Sequence, residues 1–165
     1  MLKLNRTTEY GLMALSYIRT KSAGEISSAR EIADFFSLPF EILAKTLQRL
    51  KDQGVIASSY GTRGGYVLSR DLKELYLAEF LRMMEGPVSV VACAESKGAT
   101  TNNQHLCEYS PQCSIKPNMT VLNDRLYEFL SRISLEELTR ETNAKYSSNA
   151  TTTESAMTTL QGEEP

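Results

Sequence analysis

The segment from Ser28 to Gly65 constrains the fold more than any other part of the sequence, because it carries several boundary signals in close succession. Ser28 and Glu31 have the spacing of a capping box, in which a hydroxyl and a carboxylate each satisfy a backbone N–H at a helix start. Pro39 favours the first turn of another helix and disfavours a helical conformation in the preceding residue. Gly54 is a typical stop for that helix. The segment therefore predicts two short helices joined by a tight turn.

A β-hairpin with a glycine-containing tip is predicted after these helices. Residues 55–59 and 65–69 are short β-capable runs on either side of the tip. A first helix is expected over residues 7–20, with Thr7 or Thr8 as its cap. The order of helix, capped helix, Pro-started helix and hairpin predicts a winged helix-turn-helix, which is mainly α with a small β-hairpin wing.

The second half of the sequence predicts a separate set of elements. A short helix is expected over residues 75–84, an irregular polar segment over 93–117 and a long helix over 118–133. The long helix carries an apolar stripe, formed by Val121, Leu122, Leu126, Phe129, Leu130 and Ile133. A second capping box, at Ser134 and Glu137, opens a short helix.

Charge is distributed unevenly along the chain. Residues 1–70 contain ten Lys/Arg and six Asp/Glu, whereas residues 71–165 contain eight and fourteen. A basic front half suits contact with a polyanion. The sequence has no apolar run long enough to span a membrane and no secretory signal, so we expect a cytoplasmic protein.

The third predicted helix has the character of a DNA-reading helix. One side is apolar and docks on its neighbours, and the other offers side chains to a major groove. The hairpin can contact the DNA backbone or the minor groove. The glycines at positions 61, 64 and 65 of the hairpin would allow close approach to the duplex. The predicted DNA-contacting residues are Ser28, Arg30, Pro39, Phe40, Lys45, Thr46, Arg49, Tyr60, Thr62 and Arg63.

All three cysteines lie within 21 residues, with the spacing C-x13-C-x5-C. Thiolates at Cys93, Cys107 and Cys113 suit an iron–sulfur cluster, either [2Fe-2S] or [4Fe-4S], and the lack of a close C-x2-C pair disfavours zinc. Three cysteines leave one ligand position open. The candidates are His105 and, from a neighbouring chain, Glu9.

Other functions remain open at this point. A regulator of the same fold could sense a metabolite or a partner protein without a cluster, and a small iron–sulfur carrier would also use three cysteines. No catalytic arrangement is apparent, so an enzyme is not expected.

The sequence resembles the IscR/NsrR-like winged-helix regulators of the Rrf2 family over residues 1–140. The motifs that carry the resemblance are LNRTTEYGLMAL (4–15), REIA (30–33), LP (38–39), LAKTLQRL (43–50), GVI (54–56), RGGYVL (63–68), MEGP (84–87) and the cysteine segment. Two positions depart from some members: Lys116 replaces a ligating His, and Ala44 replaces an acidic residue of the reading helix.

The resemblance implies a homodimeric repressor that binds a pseudo-palindromic double-stranded operator. It implies a cluster on the three cysteines that senses redox state or nitric oxide, control of iron–sulfur assembly genes, and a fourth ligand from the partner's first helix in some members, where Glu9 falls. The expected organisation is a winged helix-turn-helix domain (1–86), a cluster-binding loop (87–117), a dimerisation helix with a short following helix (118–140) and a disordered tail (141–165).

Overall fold

The computed structural model describes residues 3–22, 24–59, 64–89 and 112–140. The elements are, in order, α1 (Arg6–Thr20), α2 (Ala29–Phe36), α3 (Phe40–Asp52), β1 (Ile56–Ser59), β2 (Gly65–Leu68), α4 (Leu77–Glu85) and α5 (Lys116–Leu130). A further helical segment occupies residues 135–140. This architecture confirms the predicted fold class. Within the described residues, the helices are too short or too polar to cross a bilayer.

Helix α1 begins one residue earlier than predicted, because its cap is Asn5 and not Thr7 or Thr8. The Asn5 side-chain oxygen accepts from the Thr8 backbone N–H at 2.8 Å and from the Thr8 hydroxyl at 3.0 Å. Thr8 is fully buried. A polar side chain inside the first turn is thus satisfied by the cap residue itself.

Helix α2 begins with the predicted capping box. The Ser28 hydroxyl accepts from the Glu31 N–H, and the Glu31 carboxylate accepts from the Ser28 N–H. Ser37 ends the helix in the left-handed conformation, with φ of 53°. Pro39 then stands at the N-cap of α3, so the turn between α2 and α3 takes only three residues.

The core lies where α1, α3 and α4 meet. Gly11 permits this close packing, because a β-carbon at position 11 would lie 3.2 Å from the Phe80 ring. Apolar side chains from these three helices, from α2 and from the start of the hairpin fill the core. The fully buried members include Leu15, Ile32, Leu43, Leu47, Leu50, Ile56, Phe80 and Met84.

Strands β1 and β2 pair antiparallel, with Ile56 opposite Leu68 and Ser59 opposite Gly65. The hairpin is joined to the segment before α2 by two backbone hydrogen bonds between Ser27 and Tyr66, of 3.0 and 2.8 Å. The wing is therefore held against the helix-turn-helix on the side where α2 begins.

The chain after α5 packs back onto the winged helix-turn-helix. The Leu77 N–H donates to the Ile133 carbonyl, and the Leu135 N–H donates to the Leu75 carbonyl, each at 2.8 Å. Leu135 is fully buried. Helix α5 itself begins two residues before the predicted start, because Pro117 is accommodated in its first turn.

Candidate DNA interface and cysteine site

The start of α3 brings an aromatic ring and a cation together at the surface. The guanidinium carbon of Arg30, on α2, lies 5.3 Å from the centre of the Phe40 ring. Phe40 is 40% exposed, and Arg30, Pro39 and Lys45 are also exposed. The cation–π contact places Arg30 beside the first turn of α3. A duplex laid against this turn would meet Arg30, Pro39 and Phe40, and Lys45 lies in the next turn.

Thr46 does not belong to that surface. It is fully buried, and its hydroxyl donates to the Ile42 carbonyl at 2.8 Å. The expectation that Thr46 faces DNA is therefore wrong in this structure. Its hydroxyl is satisfied within its own helix, which removes the cost of burying a polar group among apolar neighbours.

Arg49 is exposed but is already bonded within the protein. Its Nη2 donates to the Met83 carbonyl at 2.9 Å, and Met83 lies in the last turn of α4. The side chain predicted to reach DNA thus connects two helices of the winged helix-turn-helix.

Ser28 is committed to the capping box through both its amide and its hydroxyl oxygen. Ser28 is predicted as a DNA contact, but its amide is not available because it donates to the Glu31 carboxylate. The Ser28 hydroxyl accepts one hydrogen bond and retains its own hydrogen for donation. A phosphate contact by Ser28 would therefore use the hydroxyl.

Two further residues of the exposed α3 surface were not selected from the sequence. Glu41 is exposed in the first turn, and Ile42 is 41% exposed. The signal for Ile42 was present, because it falls outside the buried stripe of Leu43, Leu47 and Leu50.

The predicted wing residues Tyr60, Thr62 and Arg63 lie outside the described residues. Gly65 is described, and its role differs from the expectation. A β-carbon at position 65 would lie 2.5 Å from the Ile26 side chain. Gly65 therefore allows the wing to approach the protein's own backbone, and close approach to DNA is not needed to explain it.

Electrostatics at the start of α2 centre on Glu31. Its Oε1 accepts from the Lys21 ammonium at 2.8 Å and from the Tyr17 hydroxyl at 2.6 Å. These two hydrogen bonds hold the pKa of Glu31 below its ordinary value, and the bond from Lys21 has the larger effect. Burial and the bond to Glu31 raise the pKa of Tyr17. The ionised carboxylate thus joins α1 to α2.

Two of the five candidate cluster ligands lie in the described part of the chain. Cys113 is half-buried just before α5 and forms no disulfide, and Glu9 is half-buried in the first turn of α1. Cys93, His105 and Cys107 lie outside the described residues. Among the residues that are described, no three His, Cys, Asp or Glu side chains gather into a metal-binding group. A free thiol and a carboxylate are both suitable donors to iron.

Helix α5 leaves half of the predicted apolar stripe uncovered, because Val121, Leu122 and Phe129 are exposed. Ile115, Leu122 and Phe129 recur every seven residues and are 57%, 46% and 61% exposed. Leu126 packs partly against the core, and Leu130 is buried. A seven-residue apolar repeat is typical of a helix that packs along another helix.

Known proteins are similar to this chain over most of its length. The family model described as "Rrf2: Iron-dependent Transcriptional regulator" matches residues 4–141. The HTH-type transcriptional regulator NsrR of Bacillus subtilis (strain 168) is 30% identical over 130 residues, which are 79% of this chain and 83% of that protein.

Solved structures show the same fold. CymR (YrzC), the global cysteine regulator of B. subtilis, aligns with a TM-score of 0.64 at 24% identity, over 86% of this chain and 98% of that one. IscR of T. potens aligns with a TM-score of 0.61 at 20% identity, over 86% of this chain and 88% of that one.

Proposed function

Because the chain belongs to the Rrf2 family of transcriptional regulators, we propose that it is a homodimeric repressor whose operator affinity depends on an iron–sulfur cluster. As a member of this family it is a DNA-binding transcriptional regulator. The cluster, the dimer, the repression and the target genes are the proposed part. We place its action in the cytoplasm, where its DNA is found, and propose no catalytic activity.

The observation that carries the DNA-binding geometry is the contact between Arg30 and Phe40 at the start of α3. It fixes a cation next to the turn that enters a major groove first in helix-turn-helix proteins. Lys45 follows one turn later on the exposed side. Arg30 and Lys45 are suited to phosphates or base edges, and the Phe40 ring is suited to a thymine methyl group.

The uncovered side of α5 supports the proposed dimer. Ile115, Leu122 and Phe129 would pack against the same residues of a second copy, because a two-fold axis places identical surfaces together. Such a dimer presents two α3 helices to DNA. We therefore propose a pseudo-palindromic operator with one half-site for each copy.

We propose that Cys93, Cys107 and Cys113 hold the cluster, with Glu9 of the partner or His105 as the fourth ligand. A cluster supplies a redox-active and nitric-oxide-reactive centre, and a non-cysteine ligand makes it easier to lose. The support is chemical: three soft donors stand close in sequence, and Cys113 is free. The proposed targets are genes for iron–sulfur cluster assembly.

The test is anaerobic purification followed by Mössbauer and resonance Raman spectroscopy. Wild type should contain an iron–sulfur cluster, and the Cys113→Ser variant should lose it. Of Glu9→Ala and His105→Ala, only the variant that removes the fourth ligand should change the spectrum. Glu41→Ala is the matched control, because Glu41 is also a carboxylate in the first turn of a helix.

Capture of DNA fragments from a genomic pool tests the regulatory half. Fragments with two-fold symmetric half-sites upstream of iron–sulfur assembly genes would support the proposal. A colourless protein after anaerobic reconstitution, with the same DNA selected, would instead identify a cluster-free regulator. A coloured protein that selects no DNA would identify a carrier.

A further inference from the structure

The last turn of α4 joins the DNA-reading helix to the segment that contains the cysteines. Met83 lies in that turn, and Pro87 follows it by four residues. In a continuing helix, the N–H four residues on would bond to the Met83 carbonyl. Pro87 has no N–H to give, so another donor is required if this carbonyl is to be satisfied by the protein.

Arg49 supplies that donor from α3. Its Nη2 lies 2.9 Å from the Met83 oxygen, across 34 residues of sequence. A cation at this position is also favoured electrostatically, because the carbonyl end of a helix carries partial negative charge. Arg49 is thus matched to the end of α4 both by hydrogen bonding and by charge.

The same turn of α4 also holds the start of α1. The Asn5 N–H donates to Glu85 Oε1 at 2.9 Å, and Asn5 caps the helix whose first turn carries Glu9. In the other direction, Cys93 is only six residues beyond Pro87 in the sequence. Both segments that carry proposed cluster ligands therefore attach to the turn that Arg49 binds.

We infer that Arg49 is a positioning residue that couples the DNA-reading helix α3 to the end of α4, and that it is not a phosphate or base contact. The inference rests on the proposed function, because the Arg49–Met83 bond matters for regulation only if a change in the cysteine segment alters the position of α3. A change that displaces the end of α4 would move α3 through the Arg49–Met83 bond, and operator affinity would change with it.

The test compares Arg49→Met, Arg49→Lys and Lys45→Met as full-length proteins. Lys45 is the matched control, since it is an exposed cation one turn earlier on the same helix. Two quantities are measured on the captured operator: the slope of log affinity against log salt, and the ratio of affinities between cluster-loaded and metal-free protein. Hydrogen exchange of the amides in the last turn of α4 is measured on the metal-free protein.

Lys45→Met should reduce the salt slope by about one and weaken both forms alike. Arg49→Met should leave the salt slope unchanged. It should also bring the ratio of operator affinities between cluster-loaded and metal-free protein close to one, within about twofold. In wild type this ratio is expected in the typical allosteric range of about 5- to 150-fold. Exchange at the end of α4 should become faster in Arg49→Met. Arg49→Lys should retain most of the ratio, because an ammonium can donate to the same carbonyl.

An Arg49→Met protein with a reduced salt slope and an intact ratio would overturn the inference and make Arg49 a phosphate contact. A wild-type ratio of one would overturn the coupling together with the proposed sensing. In that case, an Arg49→Met protein with an unchanged salt slope and faster amide exchange in the last turn of α4 would still support the Arg49–Met83 bond. The two failures are therefore distinguishable.

Discussion

A β-carbon at Gly65 would lie 2.6 Å from the carbonyl oxygen of Ser27, closer than a non-bonded carbon and oxygen can approach. The two backbones are held at this distance by the hydrogen bonds between Ser27 and Tyr66. Because Ser27 directly precedes the cap of α2, the contact fixes the wing relative to the helix-turn-helix. Position 65 is thus restricted to glycine by the fold of the protein itself.

Gly65→Ala is expected to destabilise the protein and to displace the wing. The added methyl group must push the Ser27 backbone away, and overpacking of this kind costs about 1–3 kcal/mol in the free energy of unfolding. Urea denaturation measures that loss. Ser59→Ala, at the position opposite Gly65 in the hairpin, is the control and should stay within about 0.5 kcal/mol of wild type. Equal losses in the two variants would contradict the steric explanation.

The stability of the protein should depend on the ionisation of Glu31. Its pKa is lowered in the folded state, chiefly by the hydrogen bond from Lys21, so the folded state favours the carboxylate. This contribution is present above the ordinary pKa of 4.5 and is lost as the pH falls through the lower folded value. Thermal unfolding between pH 3 and pH 7 should therefore show Glu31→Gln less stable than wild type at neutral pH, with the gap closing in acid.

Ser28→Ala provides the contrast to that variant. It removes the other half of the capping box, which does not titrate, and should cost about 1 kcal/mol. Its deficit should persist at acidic pH, because protonation of Glu31 does not replace the lost hydroxyl. A Glu31→Gln deficit that also persists at low pH would show that the carboxylate acts through its shape and not its charge.

Local signals in the sequence predicted the helix starts that depend on neighbouring residues. The Ser28–Glu31 box and the Pro39 start are of this kind, because each involves residues within one turn. Asn5 was missed as the α1 cap because Thr7 and Thr8 are also good capping residues.

Contacts between distant segments could not be read in the same way. Thr46 is polar and was placed outward, but its bond to the Ile42 carbonyl allows burial. The sequence predicts Arg49 as a DNA contact, because the partner of a cation on a helix surface is not visible in the sequence. Its acceptor is 34 residues away. The glycine at position 65 was recognised as permitting close approach, but the approaching group is Ser27, 38 residues earlier.

The uncovered side of α5 predicts the oligomeric state. Leu122→Glu should convert the proposed dimer to a monomer, because a buried, unpaired carboxylate in an apolar helix pair is strongly unfavourable. Sedimentation velocity at micromolar protein concentration measures this. Asp124→Lys is the control, since Asp124 is exposed on the opposite side of α5. A Leu122→Glu protein that sediments like wild type would exclude this surface from the interface.

Phe40 should contribute to operator binding by positioning Arg30. Phe40→Leu keeps an apolar side chain of moderate size but removes the ring on which the guanidinium lies. Since an exposed cation–π contact contributes about 0.5–1 kcal/mol, operator affinity should fall by about two- to fivefold. The salt slope should not change, because no charge is lost. Fluorescence anisotropy with a labelled operator, repeated at several salt concentrations, measures both quantities.

Phe35→Leu is the matched control. Phe35 is an exposed aromatic residue on α2 whose ring packs against Tyr17. If Phe35→Leu weakens binding equally, the loss comes from repacking of α2, and Arg30 is not positioned by the Phe40 ring.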